Sequence, residues 1–249
     1  MPNDKQQVKP YEAGGSKKEQ VSRMFNSIAR RYDLLNRLLS AGIDKRWRKR
    51  AISLLAKAKP QKVLDIATGT ADVAIALVSQ LDTPQVVGLD IAEAMLEIGR
   101  KKISELGLND RIELLVGDAE HLPFPSNTFD ALTVSFGVRN FENLQAGLQE
   151  MHRVLKPQAE AVILEFSKPR IFPLKQIFHF YFKNILPLIG RWTSKDPRAY
   201  HYLYESVQAF PDGEDFLREL EKAGFRQTKQ IALTFGICSI YYAKKNSEI

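Results

Sequence analysis

Two hydrophobic rhythms alternate through the middle of the chain. Short apolar runs at 62–66, 85–90, 111–116, 129–135 and 159–166 have the length and β-branched content of buried strands. Between them, segments near 71–80, 92–106 and 143–155 repeat apolar residues three and four apart, as helices do. Leu96, Gly99, Ile103 and Leu106 form one such stripe and Leu144, Leu148, Met151 and Leu155 another, and both are expected to face a core. This alternation predicts a mostly parallel sheet covered on both faces by helices. Ahead of it, a disordered tail is expected over 1–18 and a cap of three helices over 19–58. After Pro169 the rhythm breaks into a segment over 170–210, followed by a helix near 213–223 and two strands in succession, 225–232 and 235–243. The expectation is an α/β, Rossmann-like fold in a single domain over 19–249, with seven strands, an antiparallel C-terminal hairpin and an N-terminal helical cap.

The first strand runs into Asp65-Ile66-Ala67-Thr68-Gly69-Thr70-Ala71, where Gly69 lets the backbone approach a ligand closely, and the second strand ends in Asp90, 21 residues after Gly69. A carboxylate at the tip of a second strand can accept hydrogen bonds from both ribose hydroxyls of an adenosine. A dinucleotide fingerprint needs three glycines in this turn and only one is present; the Gly-Lys-Ser/Thr of a P-loop is also missing. Asp65 and Asp72 flank the turn, which would repel a pyrophosphate and suit a cofactor carrying a positive sulfonium. S-adenosylmethionine fits that description; the competing reading is a tight turn with no ligand.

Val63-Leu64-Asp65-Ile66-Ala67-Thr68-Gly69-Thr70-Ala71-Asp72, Gly117-Asp118-Ala119-Glu120 with Leu122-Pro123-Phe124-Pro125, and Ser135-Phe136-Gly137-Val138-Arg139-Asn140 resemble the successive motifs of class I S-adenosylmethionine-dependent methyltransferases. The last of these, with Glu165-Phe166-Ser167-Lys168-Pro169 and Ala29-Arg30-Arg31-Tyr32-Asp33-Leu34-Leu35-Asn36, is similar to the ubiquinone/menaquinone biosynthesis C-methyltransferases from about Val21 to the C-terminus. That family usually carries Gly where Thr68 and Ala71 stand. The resemblance implies cofactor contacts from Gly69 and Thr70 at the methionine end, Asp90 at the ribose, Asp118 and Ala119 at the adenine edge, and Ser135 beneath the sulfonium. It also implies Arg139, Tyr202 and Asp196 as acceptor-site residues. Arg139 can favour a phenolate electrostatically, and a salt bridge to a nearby carboxylate such as Glu142 is its competing role. The implied reaction is C-methylation of a polyprenylated quinol ring, demethylmenaquinol first and the benzoquinol of the ubiquinone pathway as its variant.

Charge changes the picture of partners. The net charge of +7 is concentrated in residues 1–60, which carry 15 Lys/Arg against 5 Asp/Glu, and Lys45 to Arg50 are the densest part. Residues 170–200 add seven aromatics and six Lys/Arg against one acid, with Phe178, Phe182, Ile185 and Ile189 at helical spacing. This is expected to be a lid over the acceptor, with a transient contact to an anionic membrane surface. A nucleic-acid or protein methyltransferase is disfavoured by the missing Asn/Asp-Pro-Pro-aromatic motif after the fourth strand, so no nucleic-acid partner is expected. A non-catalytic quinone-binding protein is the third class, and a homodimer is an open alternative. The lone Cys238 and the polar N-terminus point to a cytoplasmic protein, peripheral at most at the inner face of the plasma membrane. The four histidines share no metal-ligand spacing, so no metal is expected.

Overall fold

The computed structural model describes residues 8–11, 14–40, 42–82, 85–181, 184, 196 and 198–247. Its elements are α1 (Lys17–Ser40), α2 (Asp44–Ser53), β1 (Lys62–Ile66), α3 (Asp72–Leu81), β2 (Gln85–Asp90), α4 (Glu93–Glu105), β3 (Ile112–Val116), β4 (Phe129–Ser135), α5 (Leu144–Val154), β5 (Leu155–Phe166), α6 (Leu174–Phe180), α7 (Arg198–Ala209), α8 (Glu214–Lys222), β6 (Arg226–Leu233) and β7 (Cys238–Lys244). The expected cap holds two α-helices and a single 3-10 turn at Ala56–Ala58.

All seven strands form one sheet in the order β3-β2-β1-β4-β5-β7-β6. Strands β1 to β5 pair in parallel, and β7 runs antiparallel to both β5 and β6. The chain order reverses between β1 and β4, so the crevice beyond the C-terminal ends of those strands is where an open α/β sheet takes its ligand.

Alternation along each strand divides the core. Leu64, Ile66, Leu132, Val134 and Ile163 point to the face covered by Leu148 and Met151 of α5 and Phe216 of α8. Val63, Val86, Ala131, Val162 and Leu164 point to the other, against Trp47, Leu77, Leu96 and Ile103. Each fully buried Leu, Ile or Phe contributes about 1.5–3 kcal/mol of transfer free energy, so these two layers dominate the fold's stability. The expected α4 stripe is core-facing through Leu96, Gly99 and Ile103, but Leu106 is 57% exposed because the helix ends at Glu105 and the chain turns away. Of the apolar positions expected at helical spacing in the lid, Phe178 is buried against Tyr200 and Val207, while Phe182, Ile185 and Ile189 lie outside the described residues.

Helix α1 is fastened across the C-terminal end of the sheet. Ser22 donates to the carbonyl of Ile91, Asn26 accepts from the amide of Ala94, and Asp33 accepts from Thr70 and pairs with Lys102 at 2.5 Å. Within the segment assigned to a tail, Lys17 is buried and Tyr11 packs near Tyr202 while donating to Asp196.

Candidate functional site

The turn after β1 is built around two acids with different tasks. Asp65, on the sheet's α3-facing side, is almost fully buried and accepts from the hydroxyls of Thr68 and Thr133, both at 2.6 Å; burial raises its carboxyl to about 6. Asp90 accepts from Gly69 N at 2.8 Å through Oδ2 and from Ala92 N at 2.9 Å through Oδ1, so it clamps the glycine turn to the end of β2. Burial pushes its carboxyl up and these backbone N–H groups pull it back. Gly69 itself has φ +56, and Ala71 sits at φ +65. A left-handed alanine costs about 1–2 kcal/mol, which explains why glycine suits that position in the resembled family.

Two cavities open at this end of the sheet. The smaller, about 80 Å³, is lined by Gly69, Asp90, Asp118, Ala119 and Ser135, with Gly137 between them. Gly137 is required there because a Cβ would lie 2.4 Å from that of Ala67. Five of the six expected cofactor residues thus converge on one space. Thr70 does not: its hydroxyl donates to Asp33 at 2.7 Å and accepts from Lys102 at 3.0 Å, which commits it to anchoring α1.

The acids at the cavity are different residues from those expected to repel a pyrophosphate. Asp65 spends its oxygens inside the sheet, and Asp72 faces away, neutralised by Arg48 at 2.9 Å and Lys102 at 2.8 Å. The carboxylates lining the cavity are Asp90, Asp118, Glu120 and Glu142, against Lys18 as the one cation among the described residues there. Such a lining fits ribose hydroxyls, an adenine amine and a sulfonium, and opposes a pyrophosphate. S-adenosylmethionine fits this donor and acceptor set, with Asp90 and Asp118 as the residues that would hold its ribose and adenine. The cavity is small for a cofactor of that size, since ligand pockets run from about 300 Å³ upward. The reason is α1, whose Lys18, Val21, Phe25 and Tyr32 lie over it; Lys18 pairs with Asp118, whose carboxyl stays below its ordinary range despite burial.

The larger cavity, about 390 Å³, is mostly apolar, walled by Met24, Phe25 and Ile28 of α1, Trp47 of α2, Phe136, Phe166, and Ile177 and Phe178 of α6. Phe25, Tyr32 and Phe136 line both cavities. Arg139 and Tyr202 lie in its wall. The Tyr202 hydroxyl donates to Asn140 Oδ1 at 3.1 Å, and burial raises its pKa. Asp196 does not line this cavity; it accepts from Tyr11 and from Arg198 N, tying the N-terminal segment to the start of α7.

Arg139 is placed by the tight turn after β4, where Phe136 adopts φ +58 and residues Val138–Asn140 form a 3-10 turn. Its partner is Glu165 on β5, not Glu142. Nη1 donates to Glu165 Oε1 at 2.7 Å and to the Phe136 carbonyl at 2.5 Å, and the guanidinium lies 5.6 Å from the Phe166 ring centroid. Glu142 instead accepts from the backbone N–H of Lys17. The Arg139 Nε is buried and makes no hydrogen bond. Lys17 and Lys18 were missed in the sequence because a charged pair at a helix start reads as solvated. Lys17 donates to the carbonyls of Arg139 and Phe141 at 3.1 and 2.8 Å, and burial, with Arg139 nearby, lowers its amine to about 8. Among the described residues, no three His, Cys, Asp or Glu side chains come together as a metal site.

Comparison with known proteins gives a consistent result. A family model described as the ubiE/COQ5 methyltransferase family matches residues 13–245. A demethylmenaquinone methyltransferase of Bacteroides fragilis is 46% identical over 240 residues, covering 96% of this chain and 98% of that one. A ubiquinone/menaquinone biosynthesis C-methyltransferase of Geobacter sulfurreducens is 45% identical over 232 residues, covering 92% and 90%. A solved SAM-dependent methyltransferase from Aquifex aeolicus shares the fold with TM-score 0.54 at 23% identity, covering 74% of this chain and 81% of that one.

Proposed function

Belonging to the ubiE/COQ5 methyltransferase family, the chain is an S-adenosylmethionine-dependent C-methyltransferase, and we propose that the carbon it methylates lies on the ring of a polyprenylated quinol, demethylmenaquinol. The observation that carries this reading is the pairing of a buried guanidinium with an apolar cavity that shares three aromatic walls with the cofactor space. A quinone ring carbon is electron-poor, whereas a quinol becomes nucleophilic once a hydroxyl loses its proton. Arg139 offers a guanidinium held in place by Glu165 in the wall of that cavity, where it can stabilise the oxyanion electrostatically. Asn140 orients Tyr202 in the same wall, and the aromatic side chains hold the flat ring. Bound in the adjoining space, S-adenosylmethionine supplies the electrophilic methyl group. We assign its contacts to Gly69, Asp90, Asp118, Ala119 and Ser135.

The tail of such an acceptor belongs in a bilayer, because each buried methylene is worth about 0.8 kcal/mol. Ile177 lines the cavity yet is largely exposed, and exposed Ile171, Phe172 and Phe180 flank it on and before α6. Across the cavity Phe235 is 71% exposed on the turn between β6 and β7, and Trp47 Nε1 donates to Thr234 on the same turn at 2.8 Å. Lys45, Arg46, Lys49 and Arg50 are exposed on the same helix as Trp47. No helix among the described residues is long and apolar enough to cross a membrane. The arrangement supports a peripheral, reversible contact with an anionic bilayer through which the quinol enters. Transfer of a labelled methyl group to demethylmenaquinol in the presence of a reductant tests the function. Equal methylation of the oxidised quinone under strict exclusion of reductants would overturn it.

A further inference from the structure

We propose that Glu165 is the positioning residue for Arg139, gripping its side chain and backbone together so that the guanidinium is held in the wall of the acceptor cavity. This rests on the reading of Arg139 as the group that meets the acceptor oxygen. Glu165 has no exposed surface and does not line either cavity, so it reaches the acceptor only through what it holds, the Arg139 side chain and turn and the Phe166 backbone. Its two oxygens are divided: Oε1 accepts from Arg139 Nη1 at 2.7 Å and Phe166 N at 2.9 Å, and Oε2 accepts from Arg139 N at 3.3 Å. The carboxylate therefore ties the turn after β4 to the end of β5, one residue beyond the pairing of Ser135 with Leu164.

A guanidinium is planar, so holding one nitrogen in two bonds and laying its face near a ring fixes where the others point. Nη1 is held by Glu165 and the Phe136 carbonyl, and Phe166 lies beside the face. Nε, the nitrogen nearest the stem, is buried without a partner, and it is the guanidinium as a whole that lies in the wall of the larger cavity. A buried ion pair rarely adds net stability over apolar packing of the same volume, so its retention beside a reacting centre calls for another reason. Aim is that reason, because misplacement by about 1 Å can cost about a hundredfold in rate.

The test is a cycle of Glu165→Gln and Arg139→Met, with active protein counted by calorimetric cofactor binding and kcat followed against pH. Glu165→Gln is expected to lower the plateau kcat about 30-fold with KM for the cofactor changed by less than about twofold. Removing the counter-charge also moves the acid limb of the profile to lower pH, so a role as mere counter-charge would shift the limb and spare the plateau. In the Arg139→Met background the same change is expected to alter kcat by less than about threefold, since Glu165 then has nothing to aim. Glu165→Asp keeps the charge and shortens the reach, and it should lower the plateau without moving the limb; it serves if the Gln variant does not fold. An unchanged plateau in the Gln or Asp variant, or an equal loss in the Met background, would overturn the inference. Full activity of Arg139→Met alone would instead overturn the acceptor-site reading.

Discussion

Asp90→Asn separates two duties that one carboxylate performs. In the structure Oδ2 accepts from Gly69 N and Oδ1 from Ala92 N, and the Ile91 N–H also acts on the carboxylate. Asparagine keeps the shape with one accepting oxygen, so one of the two N–H groups then faces an NH2. An unsatisfied donor at such a site costs about 1–3 kcal/mol. For a domain of this size that lowers Tm by about 2–12 °C, at about 2–4 °C per kcal/mol. The second duty is the proposed acceptance of ribose hydroxyls. Loss of charge there removes a charge-assisted bond of about 1.5–3 kcal/mol and raises the cofactor Kd about 10- to 150-fold. Titration calorimetry with S-adenosylmethionine, run well below the variant's Tm, reads the second effect while thermal unfolding of the free chain reads the first. A lowered Tm with a Kd within about twofold of the parent would refute the ribose assignment and leave Asp90 as a turn clamp alone.

Lys17 gives a pH test of folding. Its amine falls from 10.5 to about 8 in the folded chain, so the unfolded chain binds more protons between those values and stability rises with pH across that window. Lys17→Met should remove up to about 3 kcal/mol of that rise; a parent-minus-variant difference in urea unfolding that is equal at both ends of the window would count against the burial of the amine. At the rim, Phe172→Ser with Phe180→Ser should weaken co-sedimentation with anionic vesicles while leaving turnover of a short-tailed quinol in detergent unchanged, and added salt should weaken the parent's binding. Undiminished vesicle binding by the double variant would remove α6 from the membrane contact. Core substitution Leu148→Ala should cost about 2–5 kcal/mol, read as a shifted denaturation midpoint at constant slope, because its side chain is fully enclosed between sheet and helix.

The strands were legible because each is a continuous apolar run ending in a polar turn, and β1, β2 and β4 begin and end where the runs do. The convergence of Gly69, Asp90, Asp118 and Ser135 followed from their places at successive strand ends. What the sequence concealed depends on register or on reach. Arg139 has Glu142 three residues away but pairs with Glu165, 26 residues on, because β4 and β5 run side by side and end together. Asp72 looked like a wall of the cofactor space, yet it starts α3 and turns toward Arg48 and Lys102, two long side chains from elements distant in sequence. Thr70 was drawn away by the same Lys102 together with Asp33, an acid on a helix whose position over the sheet no local pattern encodes. Phe235 lies where a strand was expected; a left-handed turn there, with φ +57 at Phe235, puts the ring outside the sheet.

Phe25 and Tyr32 of α1 face both cavities. A helix of 24 residues is a stiff rod about 36 Å long, pinned to the sheet from Lys18 to Asp33, and it cannot fit itself to one occupant without altering the room left for the other. The two ligands are therefore energetically linked. Whatever factor the cofactor adds to acceptor affinity, the acceptor must return to the cofactor, and the same equality applies to the spent cofactor after transfer. An apolar molecule lodged in the larger cavity would then change the affinity for fresh and for spent cofactor without touching their site, and its own apparent affinity would change with cofactor concentration by the same factor.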